Sequence, residues 1–340
     1  MQPGGSPGVA PTLIFDMIQS YQRTAALRTA VELGVFGAIG EGAHDTAAIA
    51  RKCSSSERGI RILCDFLTIH GLLSKQGTDY QNSPSTAVFL DPQSPACLAS
   101  VTQFLGNPML VNEFDQLTAI VREGHTMMPG QGTVEPENPI WVQFAEAMAP
   151  MMGAVAPLLA EAALQGRSGP LKVLDIAAGH GLFGIHVAKR NPEARITALD
   201  WRSVLNVAER NAKKEGVESR YELLPGSAFD VEFGGPYDLV LLTNFLHHFD
   251  TSTCTNLLKK IRAALKPGGT VAILEFVPNE DRVSPPQAAA FSMMMLSSTP
   301  AGDAYTFSQL QQMLNDAGFQ NAKHVLCGEL PNSIVLGTAV

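Results

Sequence analysis

Residues 173–190 read VLDIAAGHGLFGIHVAKR: an apolar run containing Asp175, a loop with Gly179, Gly181 and Gly184, then a helical pattern. A strand that turns through glycines directly into a helix is half of a βαβ unit and commits this part of the chain to a parallel sheet. The remaining pattern agrees. After Pro170 the periodicity predicts strands at 171–176, 195–200, 220–224, 237–242 and 270–276, with helices near 181–190, 203–216 and 252–266. A last helix at 306–317 precedes strands at 319–327 and 333–339. The fold class is therefore α/β: a doubly wound, seven-stranded sheet, covered on both faces, that binds its ligand beyond the carboxyl ends of the strands. The G-x-G-x-x-G string does not identify that ligand, because such glycines serve any strand-to-helix turn where a ligand touches backbone.

The first half of the chain is different. Residues 12–40 carry apolar positions at helical spacing, closed by Gly34, Gly37 and Gly40. The next stretch reads as helix, turn, helix and hairpin, with Asp45 or Thr46 and Ser54–Ser56 as candidate caps, which is the order of a winged helix. A DNA-reading role, as in a ligand-sensing transcription factor, is disfavoured by an apolar second helix carrying Asp65 and by a net charge of −8. The expected domains are a flexible leader at 1–11, the winged-helix part at 12–95, a helical linker and pocket region at 96–168, and the ligand-binding domain at 169–340. The leader lacks the basic and apolar regions of a signal peptide, and no run reaches the ~18 apolar residues of a membrane span. Five scattered cysteines without a C-x-x-C spacing suit a reducing cytoplasm and indicate no metal site. The remaining histidines do not cluster at ligand spacing either.

Four features turn the reading away from a dinucleotide. Asp175 stands inside the first strand, where it can organise the loop and accept from a ligand ammonium. Asp200 ends the second strand, where a carboxylate can accept both ribose hydroxyls; both readings share this, so it says only that the ligand carries a ribose. A Pro-Gly-Gly turn precedes the fifth strand, and a helix and two strands close the chain as a reversed final hairpin requires.

On these residues the last 170 positions resemble a class I S-adenosylmethionine-dependent methyltransferase with a Rossmann-like sheet whose last strand is antiparallel. With the helical part included, nearly the whole chain is similar to small-molecule O-methyltransferases of the hydroxyindole, caffeate and polyketide-tailoring kind. "DIAAGHG" matches the family's D-x-G-G-G-x-G, with Ala177 and Ala178 for two glycines, which suits alanine where φ is negative. The resemblance implies S-adenosyl-L-methionine as cofactor, released as S-adenosyl-L-homocysteine, and a homodimer in which Tyr21 reaches across. It puts Asp175, Gly179 and Gly181 at the cofactor loop, Asp200 on the ribose and Trp201 beside the adenine. "GSAFD" matches a G-D-M-F segment, so Ser227 replaces an adenine-binding acid, next to Ala228 and Phe229. Asn244 and Phe249, after the fourth strand, complete the cofactor set.

The same resemblance assigns catalysis. His247, His248, Phe249 and Cys254 occupy the frame of an H-D-W motif whose histidine is the general base, and Glu275 falls at the spacing of a glutamate that hydrogen-bonds it. Methyl transfer is an in-line displacement that asks the protein to align the nucleophile and remove one proton, and a neutral imidazole suits that. The family's second glutamate falls at Ala304, with Asp303 adjacent as a substitute. The substrate pocket is expected from Phe104, Asn107 and Met109, from Phe144, Met148 and Met152, for most of which simple core packing is the other reading, from His248, and from Phe291, Met294 and Met295 on a helix facing Met148–Met152. Such an apolar, Met-rich wall suits a planar aromatic or polyketide-like hydroxyl acceptor. Carbon or nitrogen methylation, and a cofactor-binding relative that does not methylate, stay open. No nucleic-acid or membrane partner is expected.

Overall fold

Asp45 accepts the N–H of Ala48 at 2.8 Å and Ser56 that of Gly59 at 3.1 Å, each satisfying a donor that a first helical turn leaves free. In the computed structural model, which describes residues 11–340, these caps open the helices Thr46–Lys52 and Glu57–Ile69. An antiparallel hairpin of β1 (Leu73–Gln76) and β2 (Asp79–Asn82) follows, completing the helix–helix–wing order. The apolar stretch 12–40 forms two helices, Thr12–Glu32 and Val35–Gly40, because Gly34 turns into the left-handed region at φ 73° between them. Phe36, Ile39, Ile49, Ile60, Leu67 and Tyr80 form the core of this unit. Asp65 is engaged locally, taking Tyr80 Oη at 2.8 Å and Lys75 Nζ at 2.6 Å. The helix Thr12–Glu32 leaves Leu13, Ile14, Phe15, Met17, Ile18 and Tyr21 exposed. Apart from Pro11, the leader expected at 1–11 lies outside the described residues.

This first unit ends at Gly106, and Asn107–Val340 forms the second. The boundary falls within the region that the sequence sets apart as 96–168. The helix Ala156–Leu164 buries Leu159, Ala160 and Ala163 in one core with Val173, Phe183 and Ile185. Among the described residues no single helix is long and apolar enough to cross a membrane. The helices Ile140–Met152 and Ala156–Leu164 pass that test only as a pair bent by 79°.

The second unit is built on seven strands: β3 (Leu171–Ile176), β4 (Ala194–Asp200), β5 (Tyr221–Pro225), β6 (Tyr237–Thr243), β7 (Leu265–Phe276), β8 (Phe319–Leu326) and β9 (Asn332–Ala339). Their order is β5-β4-β3-β6-β7-β9-β8. β9 is antiparallel to both its neighbours and is the one reversed strand, since β8 thereby runs with the rest. β7 begins earlier than the sequence suggests. Leu265 already pairs with Tyr237, the Pro-Gly-Gly segment bulges out, and pairing resumes with Thr270 opposite Leu239. The chain winds outward through β3, β4 and β5, then returns to lay β6 beside β3. The switch point thus opens beyond the carboxyl ends of β3 and β6. Apolar cores lie on both faces of the sheet, one including Leu174, Val240, Leu258 and Leu310, the other Val173, Leu241, Phe183 and Leu159. Leu241, fully buried on β6 between Asp175 of β3 and Ala272 of β7, tests this packing. Leu241→Ala is expected to cost about 2–5 kcal/mol, read as a lower denaturant midpoint of unfolding.

Candidate active site

The glycine loop is organised from below by two carboxylates. Asp175 is fully buried, and its Oδ2 accepts the N–H of Gly184 at 3.0 Å. Position 184 is glycine because a Cβ there would meet Asp175 Oδ2 at 2.8 Å and Ile196 Cγ2 at 2.8 Å. Asp200 accepts Gly179 N–H at 2.9 Å on one oxygen and Trp201 N–H at 2.7 Å on the other, fastening the loop to the end of β4. Ala177 does not keep the negative φ that suits alanine. It sits at φ 53°, a left-handed strain of about 1–3 kcal/mol stored beside the cavity. Burial pushes the Asp175 carboxyl up to about 7 and the Asp200 carboxyl up to about 6. The folded value of Asp175 lies above the ordinary 3.8, so the folded state holds the proton longer and stability is lost as pH rises from about 4 to about 7. Denaturant titrations at pH 5 and pH 8 should show this loss, on the order of 2–4 kcal/mol, and show it reduced in Asp175→Asn.

Above the loop lies a cavity of about 620 Å³. Of the expected residues, its wall includes Gly179, Asp200, Trp201, Ser227, Ala228, Phe229, Asn244, Phe249, Phe144 and His248. Asp175 and Gly181 are not on it. Asp175 is beneath the loop, and Gly181 starts the helix Leu182–Arg190 where a Cβ would meet Tyr221 Oη at 2.7 Å. The expected methionines also lie elsewhere. Met148 and Met152 are buried, and Met152 sits in the apolar core, with Asn244 Nδ2 3.9 Å from its sulfur. Asn107 caps the helix Pro108–Val111 and donates to Gln143 at 2.6 Å. Met109 lines a separate cavity of about 380 Å³ with Glu113, Met128 and Glu135. Phe104 is buried in the helix Ala99–Leu105 of the first unit. The helix Pro286–Ser298, bearing Phe291, Met294 and Met295, packs mainly on Asn112–Gln116, Leu117–Glu123 and β7. Phe291 stacks on Phe276 at 4.0 Å and stands edge-on to His247 at 4.9 Å.

Several wall residues have no sequence signal. Gln131, Val134, Pro136 and Glu137 come from a segment without periodicity, and Trp141 from the first turn of the helix Ile140–Met152. Thr126 and Thr133 anchor the segment by donating to the carbonyls of Ser297 and Ser298 at 2.7 and 3.0 Å. His180, in the loop, also lines the cavity. Its Nδ1 accepts Leu182 N–H at 3.1 Å, and burial lowers the ring to about 4, so it is neutral with its proton on Nε2. Asp230 adds a carboxylate three residues after Ser227, whose own Oγ accepts Phe229 N–H at 3.1 Å. The wall carries Asp200, Asp230 and Glu137 but no lysine or arginine, which fits a cationic ligand.

Beside the cavity, the turn after β6 is held by Glu275 at the end of β7. Its Oε1 accepts the N–H groups of Phe245, Leu246 and His247 at 3.0, 2.9 and 3.4 Å, and its Oε2 lies 2.5 Å from His247 Nδ1. A carboxylate in that contact accepts, so the ring proton sits on Nδ1 and Nε2 keeps its lone pair. The turn is clamped from the far side as well. Asp303 N–H donates to His247 O at 2.9 Å, and Tyr305 Oη donates to Phe249 O. A Cβ on Gly302 would meet His247 O at 2.2 Å. The Asp303 carboxylate does not replace the missing second glutamate. It turns outward, pairing with Arg282 and accepting Ala304 N–H at 2.8 Å. His248 points to the cavity wall against Trp141, centroids 5.1 Å apart, and burial together with His247 holds its ring well below the usual histidine value. Its Nδ1 is buried with no hydrogen-bond partner, a state that costs on the order of 1–3 kcal/mol.

This architecture has known relatives. Residues 133–320 match the O-methyltransferase domain and residues 15–92 the O-methyltransferase dimerisation domain. The chain is 27% identical to the 3-hydroxy-5-methyl-1-naphthoate 3-O-methyltransferase of Streptomyces sahachiroi, over 93% of this chain and 91% of that one. A solved candidate O-methyltransferase from Nostoc punctiforme is 48% identical, with a TM-score of 0.94 over 97% of this chain and 99% of its own. Human N-acetylserotonin methyltransferase, solved with SAM, shares the fold at a TM-score of 0.84 and 24% identity, over 99% of each chain. The domain match spans more than half of the chain, the cavity stands at the switch point of the sheet, and the protein belongs to the O-methyltransferase family as an S-adenosyl-L-methionine-dependent enzyme with the family's dimerisation domain.

Proposed function

We propose that this O-methyltransferase methylates a hydroxyl of a small aromatic or polyketide-like metabolite, with His247 as general base and Glu275 as the group that holds and supports it. The 2.5 Å contact between His247 Nδ1 and Glu275 carries this reading, because it leaves Nε2 ready to take a proton. The bound donor supplies a methyl group activated by the sulfonium, whose sulfur keeps the electrons of the broken C–S bond. His247 Nε2 takes the acceptor's hydroxyl proton as the oxygen lone pair forms the new O–C bond. Glu275 then offsets the imidazolium charge. For the donor, Asp200 takes the ribose hydroxyls, the Gly179 loop gives close backbone approach, Asn244 borders the reacting end, and Trp201, Phe229 and Phe249 flank the base. The acceptor class is supported by the aromatic residues around the site and by the two named relatives, which act on a hydroxynaphthoate and on N-acetylserotonin.

The first test is transfer of an isotopically labelled methyl group from S-adenosyl-L-methionine to a panel of phenols, catechols and indoles. Label on oxygen is expected. His247→Ala should lower turnover by ~10²–10⁴ while S-adenosyl-L-homocysteine binding survives. Transfer indifferent to His247 would remove the base assignment, and label on carbon or nitrogen would move the acceptor class.

The working state is a homodimer, and the exposed apolar row on the helix Thr12–Glu32 supports it. A reducing compartment such as the cytoplasm fits the five free cysteines. Sedimentation at micromolar concentration should give a dimer. Ile14→Asp with Ile18→Asp should shift it to monomer, and a wild-type monomer would reject the assembly.

A further inference from the structure

We propose that Arg282 is a positioning residue for His247: through Asp303 it fixes the segment that stops the His247 carbonyl, and so keeps the imidazole on its line. The inference rests on the reading of His247 as base and names what holds that base on the side away from Glu275. With Nδ1 tied to Glu275, the ring can still swing with the backbone that carries it. That backbone is stopped at two carbonyls. Asp303 N–H meets His247 O at 2.9 Å, and Tyr305 Oη donates to Phe249 O. Ala304, between them, has no side-chain group to offer the ring, so on His247 itself the segment acts through its backbone.

The segment is gripped from outside by one guanidinium. Arg282 pairs with the Asp303 carboxylate through one nitrogen and donates to Gln309 Oε1 at 3.1 Å through another. Each acceptor is tied in turn to the segment's own backbone. Asp303 Oδ1 accepts Ala304 N–H at 2.8 Å, and Gln309 Oε1 accepts Thr306 N–H at 3.0 Å. A planar fork suits two fixed acceptors. The backbone of Arg282 is built to hold it out. It sits at φ 57°, a left-handed conformation uncommon outside glycine. Its turn is closed by Asn279 N–H to Ser284 O at 2.7 Å and by Asp281 Oδ1, which accepts the N–H groups of Val283 and Ser284 at 2.9 Å each. Glu280 fastens the same turn to the helix Phe307–Asp316, accepting Ser308 N–H at 3.2 Å and Ser308 Oγ at 2.7 Å. This turn follows directly on β7, which ends with Glu275 and Phe276. One stretch of chain thus holds His247 from both sides, Glu275 at the ring and Arg282, by way of Asp303, at the carbonyl.

The test uses the full-length enzyme with isotopically labelled histidine. A ring N–H held this close to a buried carboxylate gives a far-downfield proton resonance, which His247→Ala assigns by removing it. In Arg282→Ala that signal should broaden or exchange away, while the calorimetric affinity for S-adenosyl-L-homocysteine stays at the wild-type value. Turnover of the panel phenol that wild type methylates fastest should fall about fivefold, the upper end of what an exposed ion pair supplies. Arg282→Lys keeps the charge without the fork and should retain part of both. Asp303→Asn keeps an oxygen for Ala304 N–H, loses the ion pair, and should match Arg282→Ala. The double variant should fall no further than either alone. A wild type without the downfield signal, a signal unchanged in Arg282→Ala, or a double variant whose losses multiply overturns the proposal. A signal lost at full turnover leaves Arg282 as the group that orders the ring and removes His247 as base, so failure of the two ideas can be told apart.

Discussion

The geometry of the active turn depends on one carboxylate. Glu275 faces three backbone N–H groups and an imidazole N–H, all but closed off from water. All four donors converge on this one carboxylate, so its loss would strand them together. The arrangement requires β6 and β7 to end level with each other, and the sheet register secures that. Thr243 pairs with Leu274, and the next N–H, of Asn244, donates to Leu274 O at 2.7 Å. The bulge at the Pro-Gly-Gly segment absorbs the extra residues at the far end of β7, keeping the Glu275 end in step.

The electrostatics of the donor cavity follow the same logic of burial. Asp175 and Asp200 are carried by adjacent strands to the same loop, and both carboxyls are raised because water is excluded. Asp200, Asp230 and Glu137 on a wall that carries no lysine or arginine favour a ligand that brings positive charge. A ligand bearing both a sulfonium and an ammonium meets that need.

What was legible in the sequence is what backbone periodicity controls. The strands, their winding, the reversed β9 and the caps at Asp45 and Ser56 follow from apolar runs and from short side chains at helix starts. The position of Asp200 at the carboxyl end of β4 and on the cavity wall was legible, because strand ends follow from the same periodicity. Side-chain direction was not. The helix Ile140–Met152 is apolar nearly all round, so nothing in its pattern tells that Phe144 turns to the cavity and Met152 into the core. Asp303 stands next to the position of the missing glutamate, yet one residue of displacement aims it at Arg282. The wall segment from Gln131 to Glu137 has no period to read, and its anchoring through Thr133 is a contact 165 positions away in the chain.

The place of β9 in the sheet has a consequence for synthesis. β9 lies between β7 and β8, yet it is the last of the three to leave the ribosome. Until Asn332–Ala339 emerges, β7 presents a bare parallel edge and β8 has no strand to pair with, although every other strand of the sheet is already available. The nascent chain therefore carries an open edge through the whole translation of residues 277–331, and such edges recruit other chains. The sheet closes in one late step, by insertion rather than by addition at its rim.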